Sequence, residues 1–549
     1  MSTSPASTNL VTIPLPVHVP TASSESKTPK PNRRPQIITS DQQLRDLTFM
    51  TVHALEQANN PPRLFVRSGE IIRIREDEAG RPITEAVTEP ILRNRMSQVA
   101  DFVKPKKNGV LSVVPPMHIP KDILALGSWK FPPLVSVVEI PVLRADGSIL
   151  DTPGYDRATR LYYWPKAGLT VPAIPANPTR QQIKQALALI DEAIGEFPYS
   201  DQASRANALA LLLTPLIRHA IRGQVPLALL DAPQQGTGKS LLGKVVSRLA
   251  TGRDAAMMAA PDSDEEWRKR ITATLYAGAT VIVIDNIEGP LAAPSLASAL
   301  TADTWRDRIL GVSKMVDVPN RATWLATGNN IRLGGDLGRR CYWIRLDAKS
   351  ATPWTGRKYR HPQLATWVAE RRGELVAAML TLVRAWYDTG RPSASTTTLG
   401  GFEEWCETIG GVLALAGVSG FLDNLSQLYE VADEESAEWE SFLRGVEAKY
   451  GRGTFTTATV VNDLTSTPML LESLPGDLAD TWHGFQPQTS FNRRLGKALA
   501  VRTERRYGPD EHRIENVRKE RSAQVWRVVS SAGTPTDTAG REEPTVVMA

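Results

Sequence analysis

The sequence predicts an α/β protein built on a mostly parallel sheet with a further region on each side, and three observations predict it. Between Pro226 and Asp347 short uninterrupted apolar runs alternate with helical stretches, the pattern of strands buried on both faces of a parallel sheet. The first run passes through a glycine-rich turn directly into a helix, which is a βα unit read from local spacing. The chain has 549 residues, 42% hydrophobic and 22% charged. That is ordinary globular usage, enough for about three or four domains.

The elements follow in order. Residues 1–35 contain 18 Ser, Thr or Pro, too little apolar surface to offset ordering entropy, and read as a disordered tail. Residues 36–170 mix strand-like alternation (Leu64–Val66, Ile71–Ile74), a helical stretch Glu89–Val103 and Pro/Gly turns, predicting a small α+β domain. Pro172, Pro175 and Pro178 punctuate a linker, after which Gln181–Phe197 and Gln202–Ile221 have helical spacing. Residues 180–390 form the predicted core: strands at Pro226–Leu230, Val281–Ile284, Thr323–Ala326 and Tyr342–Leu346, closed by one or two helices over 362–390. Residues 400–532 predict helices at Phe402–Leu425 and Glu434–Tyr450 and then a basic unit, with a second disordered tail over 533–549.

Composition excludes several classes. Two cysteines, Cys341 and Cys406, cannot build a disulfide framework or a four-cysteine zinc site. No apolar stretch approaches the roughly 20 residues that cross a bilayer, and the uncharged N-terminus lacks the basic start and apolar block of a secretory signal. A cytoplasmic protein without membrane contact is expected. Net charge is only +5, but Arg493–Arg527 holds eleven basic against five acidic residues, while Leu422–Lys449 holds eight acidic against two basic. A basic terminal unit after an acidic segment points to a polyanion partner.

The chemistry concentrates in one stretch: the apolar run Leu227–Ala232, then Pro233-Gln234-Gln235-Gly236-Thr237-Gly238-Lys239-Ser240, then a helical Leu241–Leu249. Glycines let backbone N–H groups approach phosphate oxygens and the helix N-terminus favours an anion. Lys239 reaches the β- and γ-phosphates of a nucleotide such as ATP, and Ser240 ligates Mg2+. The full pattern has Gly where this chain has Pro233. Asp285 ends the run Val281–Ile284, which places a carboxylate at a strand tip where it can hold Mg2+ beside Ser240. Where a second acid often follows such an Asp, this chain has Asn286, and the nearest carboxylate is Glu288. Hydrolysis relies on Glu288 or is slow. A third run, Arg321–Ala326, ends in Thr327-Gly328-Asn329-Asn330, followed by Gly334-Gly335-Asp336-Leu337-Gly338-Arg339-Arg340. An Asn at a strand tip can position water, and a loop Arg can reach a neighbouring subunit's nucleotide.

This ordered set resembles the P-loop, AAA+-like ATPase core of superfamily 3 helicases and of the poxvirus-type primase-helicases of phages and mobile elements, over about Pro226–Asp347. The resemblance implies that Asn329 or Asn330 is the sensor asparagine and Arg339 or Arg340 the arginine finger. It implies a homo-oligomer, most often a hexameric ring, acting on single-stranded or forked DNA, with a primase or polymerase as a further partner. A DNA-gripping hairpin would then fall at Thr304–Lys314, with Arg306, Arg308 and Lys314 as contacts. Alternating charged and apolar residues there equally suit an ordinary exposed hairpin. Near the C-terminus, Thr489–Tyr507 reads as one helix carrying Arg493, Arg494, Lys497 and Arg502, followed by strands at Arg513–Val517 and Gln524–Val529. This order resembles a winged-helix DNA-binding module. The expected activity is an ATP-dependent DNA helicase or translocase in the replication of a phage or mobile element; the alternative is a DNA-binding nucleotide switch, such as an initiator or loader, with slow turnover.

Overall fold

The computed structural model describes residues 34–255, 257–309, 314–355, 357–394, 397–432, 434–482, 488–520 and 523–531. The expected tails, apart from residues 34 and 35, lie outside these, as do residues 310–313 of the expected DNA hairpin.

The chain divides into two units. The smaller comprises the described residues up to Ala58 together with Thr88–Ala125. Its helices Leu44–Gln57, Glu89–Val99 and His118–Ala125 pack around Leu47, Leu55, Leu92, Met96, Ile119 and Ile123, all buried. Its strand Gln36–Ile38 runs parallel to Asp101–Lys106, which turns back as Gly109–Ser112. The helix expected over Glu89–Val103 therefore stops at Val99. Phe102 and Val103 are buried as strand residues beside Ile37, a long-range pairing that overrides helical spacing.

The larger unit takes Asn59–Val87 and the chain from Leu126 onward, so the expected 36–170 domain is shared between the two. The strands Phe65–Arg67, Glu70–Glu76 and Pro82–Ala86 form an antiparallel sheet. The helix Arg180–Ile194 starts at a Thr179–Gln182 capping box. Helix Gln202–Ile217 follows, apolar on nearly every side, so it is buried rather than amphipathic.

The central sheet has five parallel strands. We label them β1 (Leu227–Ala232), β2 (Met257–Ala259), β3 (Val281–Ile287), β4 (Thr323–Asn329) and β5 (Cys341–Arg345); α1 (Lys239–Thr251), α2 (Asp264–Tyr276) and α3 (Pro294–Thr301) intervene. The spatial order is β2-β3-β4-β1-β5, which inserts β4 between the strand that feeds the glycine-rich turn and the strand that carries Asp285. All five run the same way, so their C-terminal tips meet along one edge, where ligands of open α/β sheets collect. Two helices, Leu364–Glu370 and Arg372–Asp388, follow.

Further on, the helix expected over Phe402–Leu425 ends at Leu415, and Leu425–Ala432 is a separate helix. Gly417 (φ 78°) and Gly420 (φ 90°) adopt left-handed backbone that a helix cannot carry. The C-terminal region has its own core around Trp439, Phe442, Leu495, Leu499 and Trp526. Its basic helix runs Gln488–Val501, not to Tyr507; Arg506–Tyr507 is a short strand beside His512–Glu520, with Ala523–Val529 completing the hairpin. Tyr507 is buried and Glu504 is left-handed (φ 64°), so burial of the aromatic ends the helix early.

Candidate functional site

The site is assembled at the tips of β1, β3 and β4. Between β1 and α1 the backbone is left-handed at Gly236 (φ 77°) and Gly238 (φ 101°). Pro233, where the motif has Gly, needs no such freedom: φ near −65° suits it. Torsion requires both glycines; a Cβ on Gly236 would also stand 2.5 Å from the Trp354 ring, whereas one on Gly238, 3.1 Å from Phe197, would need that ring to give by a few tenths of an ångström. Gln235 is exposed, Thr237 is buried, and Gln234 donates to the Ser350 carbonyl.

Lys239 begins α1 and is largely buried. Its Nζ donates to Asn329 Oδ1 (2.7 Å) and to the Gln234 carbonyl (3.2 Å). Burial pushes this ammonium below the usual lysine range, and the Asp231 and Asp285 charges pull it back, leaving a cation poised for an anion at the helix N-terminus. Ser240 Oγ donates to Asp285 Oδ1 at 3.2 Å, and Thr327 Oγ1, from the intervening β4, donates to the same oxygen at 2.5 Å.

The register of β3 on β4 slips between Ile284 and Ile287, a bulge that re-aims the Asp285 side chain. Asn286 occupies the bulge with φ 54°, a conformation Asn tolerates better than Glu. Its N–H donates to Thr327 Oγ1 (3.1 Å) and its amide holds the exposed Glu288 carboxylate (2.8 Å). The two asparagines of β4 separate. Asn329 faces Lys239, whereas Asn330 (φ 44°) donates from its N–H to the Ala232 carbonyl (3.0 Å) and from its amide to that of Pro233 (3.4 Å), bracing the start of the turn.

Arg339 and Arg340 are not drawn into this cluster. Both engage Asp336, whose carboxyl they hold below the usual range. Arg340 also reaches the Ala297 carbonyl and Thr301 Oγ1 (2.9 Å) at the end of α3, leaving its side chain 16% exposed against 70% for Arg339.

Several residues were not singled out by sequence reasoning. Asp231 on β1 is buried and accepts from Ile331 N–H (3.0 Å), Trp343 Nε1 (3.3 Å) and Arg345 (3.0 Å). It ties together β1, β5 and the chain just after β4; burial pushes its carboxyl up against those donors. Beside the cradle lies a cavity of about 290 Å3, lined by Phe197, Gly236, Gly238, Trp354, Tyr359 and His361 among others. His361 stacks on Trp367 (4.2 Å) and bonds Glu192 (2.9 Å), and Arg357 lies over Tyr359. The basic-aromatic run from Trp354 to His361 was the available signal, but its proximity to Phe197 was not legible.

Of the DNA candidates, Arg306 pairs with Asp317 across the hairpin Thr304–Arg308/Met315–Pro319, and Lys314 with Glu70; Arg308 is exposed on the same strand. Arg493, Arg494 and Lys497 line a groove of about 600 Å3 between the basic helix and the hairpin bearing Asn516 and Trp526. Arg502 turns elsewhere, its guanidinium 4.3 Å from the Trp439 ring.

No protein-family model matches the chain, and no curated protein matches it. Among solved structures it is similar to the apo A form of the NrS-1 C-terminal region, with 12% identity and a TM-score of 0.33 over 83% of this chain and 96% of that one. It is also similar to an active helicase, Cch of SCCmec type IV, with 12% identity and a TM-score of 0.25 over 70% of this chain and 80% of that one. At these TM-scores the likeness carries no inference about function. Among the described residues no helix is long and apolar enough to cross a membrane.

Proposed function

We propose that the chain is an ATP-hydrolysing motor that moves on or unwinds DNA in the replication of a phage or mobile element. The observation that carries the reading is the convergence of Lys239, Asn329, Ser240, Thr327 and Asp285 at adjacent strand tips around a glycine cradle. The cradle N–H groups and Lys239 bind the triphosphate, and the aromatic cavity receives the base.

Magnesium fits the donor set. Among the described residues no group of three or more His, Cys, Asp or Glu forms a cage, and this ion is commonly held by one or two protein oxygens plus phosphates. Ser240 and Asp285 would hold it, and when bound it neutralises charge on the phosphate oxygens. Thr327 keeps Asp285 aimed, and Asn329 lies where water can be oriented beside Lys239. Arg339 is the better finger for a neighbour's site because Arg340 is tucked under α3, and a finger acting in trans requires an oligomer. The Arg493–Lys497 groove contacts DNA phosphates.

A second reading, the nucleotide switch with slow turnover, is favoured by one observation: the only acid near Asp285 in sequence, Glu288, is already engaged by Asn286. Steady-state ATP hydrolysis with and without single-stranded DNA separates the two. The motor requires DNA-stimulated turnover that Lys239→Ala and Arg339→Ala each abolish, with partial recovery when the two variants are mixed. Nucleotide binding without turnover sinks the motor and leaves the switch.

A further inference from the structure

The smaller unit carries a hairpin whose surface chemistry its fold does not use. Residues 104–112 are all exposed, although they form a regular antiparallel ladder with Lys104 opposite Leu111 and Lys106 opposite Gly109. Nothing in the hydrophobic core of the unit depends on them. Lys104, Lys106 and Lys107 fall within four residues, and the stretch from Phe102 to Lys121 contains no acid. Among the described residues no ion pair engages these three lysines, unlike Arg306 and Lys314, which are each matched by a carboxylate. An exposed, unneutralised cluster of one sign at a hairpin tip raises local anion concentration.

The outer edge of the hairpin argues for the kind of anion. Among the described residues the strand Gln36–Ile38 pairs only with Asp101–Val103, and none pairs with the outer edge beyond Val103. Lysines and Pro105, which has no N–H to offer, occupy it, and these are the devices that discourage pairing with another protein strand. Directly before the hairpin, helix Glu89–Val99 exposes Asn94, Ser97 and Gln98, with Gln98 Nε2 bonded to Asn94 Oδ1 (2.9 Å). A polar helix face followed at once by a basic hairpin matches a duplex: the helix faces a groove and the hairpin lies along phosphates. The B-form major groove admits a helix, whereas the A-form groove of duplex RNA is too narrow.

We infer that this unit is a second DNA-binding module, separate from the C-terminal groove, which binds the duplex backbone through Lys104, Lys106 and Lys107 on the hairpin Asp101–Ser112. The inference does not depend on ATP chemistry in the larger unit. Its test is fluorescence anisotropy of the full chain with a blunt duplex DNA of about two helical turns, over salt from about 50 to 200 mM. Replacing the three lysines together by Gln removes up to three phosphate contacts. The slope of log affinity on log salt then flattens by about 2 to 3 units, and affinity near 0.1 M salt falls on the order of 100-fold. Replacing all three by Arg retains the wild-type slope, and because the side chains are exposed both variants keep the wild-type thermal midpoint. An unchanged slope in the Gln variant overturns the inference. So does a loss on duplex RNA as large as that on DNA.

Discussion

The buried Asp231 under the cradle gives the sharpest quantitative test. Asp231→Asn preserves shape, and Oδ1 still accepts from Ile331 N–H. The new amide, however, faces two donors, Trp343 Nε1 at 3.3 Å and the Arg345 guanidinium at 3.0 Å. Breaking a fully buried pair costs about 3–5 kcal/mol. Arg345 keeps 29% of its side chain in solvent and recovers part of its hydration, and the carboxylate no longer has to be held charged against burial, so about 2–3 kcal/mol is expected. Equilibrium urea unfolding of Asp231→Asn, Arg345→Gln and the double variant measures the loss and, as a double-mutant cycle, the coupling. A functional signature accompanies it. Asp231 helps to keep Lys239 protonated, so in Asp231→Asn the Lys239 pKa falls further and the alkaline limb of ATP hydrolysis moves to lower pH. A variant within about 0.5 kcal/mol of wild type, with no coupling to Arg345, would refute the reasoning.

Three further outcomes are expected. Trp354→Ala removes the aromatic face over Gly236 and raises KM for ATP about 5- to 150-fold, the range of one base stack; binding of inorganic tripolyphosphate, which has no base, stays unchanged, and equal weakening of both would place Trp354 outside base recognition. Glu70→Gln releases Lys314 from its partly exposed ion pair, so affinity for single-stranded DNA rises about 2- to 5-fold; a fall would show that Lys314 does not meet DNA. His219, desolvated by burial and further disfavoured as a cation by the Arg218 and Arg321 charges, has its pKa pushed down to about 3. The unfolded chain takes up a proton there near pH 6.5 while the folded chain does not, so stability declines as pH falls from about 6.5 toward 3. His219→Gln flattens that decline in thermal melts recorded along a pH series.

The cradle was legible because it is local. Gly236, Gly238, Lys239 and Ser240 lie within five residues, and their spacing between an apolar run and a helix specifies both the torsions and the direction of the backbone donors. Asp285 was legible as the polar end of a buried run. Asn329 and Asn330 could not be told apart, because adjacent residues at a strand tip point opposite ways and the register that decides between them is set by β1 and β3. Asn286 looked like a missing acid; its positive φ identifies it as the residue on which the bulge turns. Spacing alone extends the basic helix to Tyr507, six residues beyond its end at Val501, because the burial of Tyr507 that ends it depends on the hairpin that follows.

What the sequence by itself determined is therefore what short-range physics controls: apolar period, the glycine-rich turn between a strand and a helix, and the basic bias of the C-terminal region. The tertiary structure alone decided the strand order β2-β3-β4-β1-β5, and with it the placement of Thr327 between Ser240 and Asp285. It also joined Phe197 to Trp354 in one cavity and assigned Asp231 to Arg345. Each of these is a pairing between segments far apart in the chain, selected by which faces and edges could be buried together, and no local pattern records which distant partner a buried strand will meet.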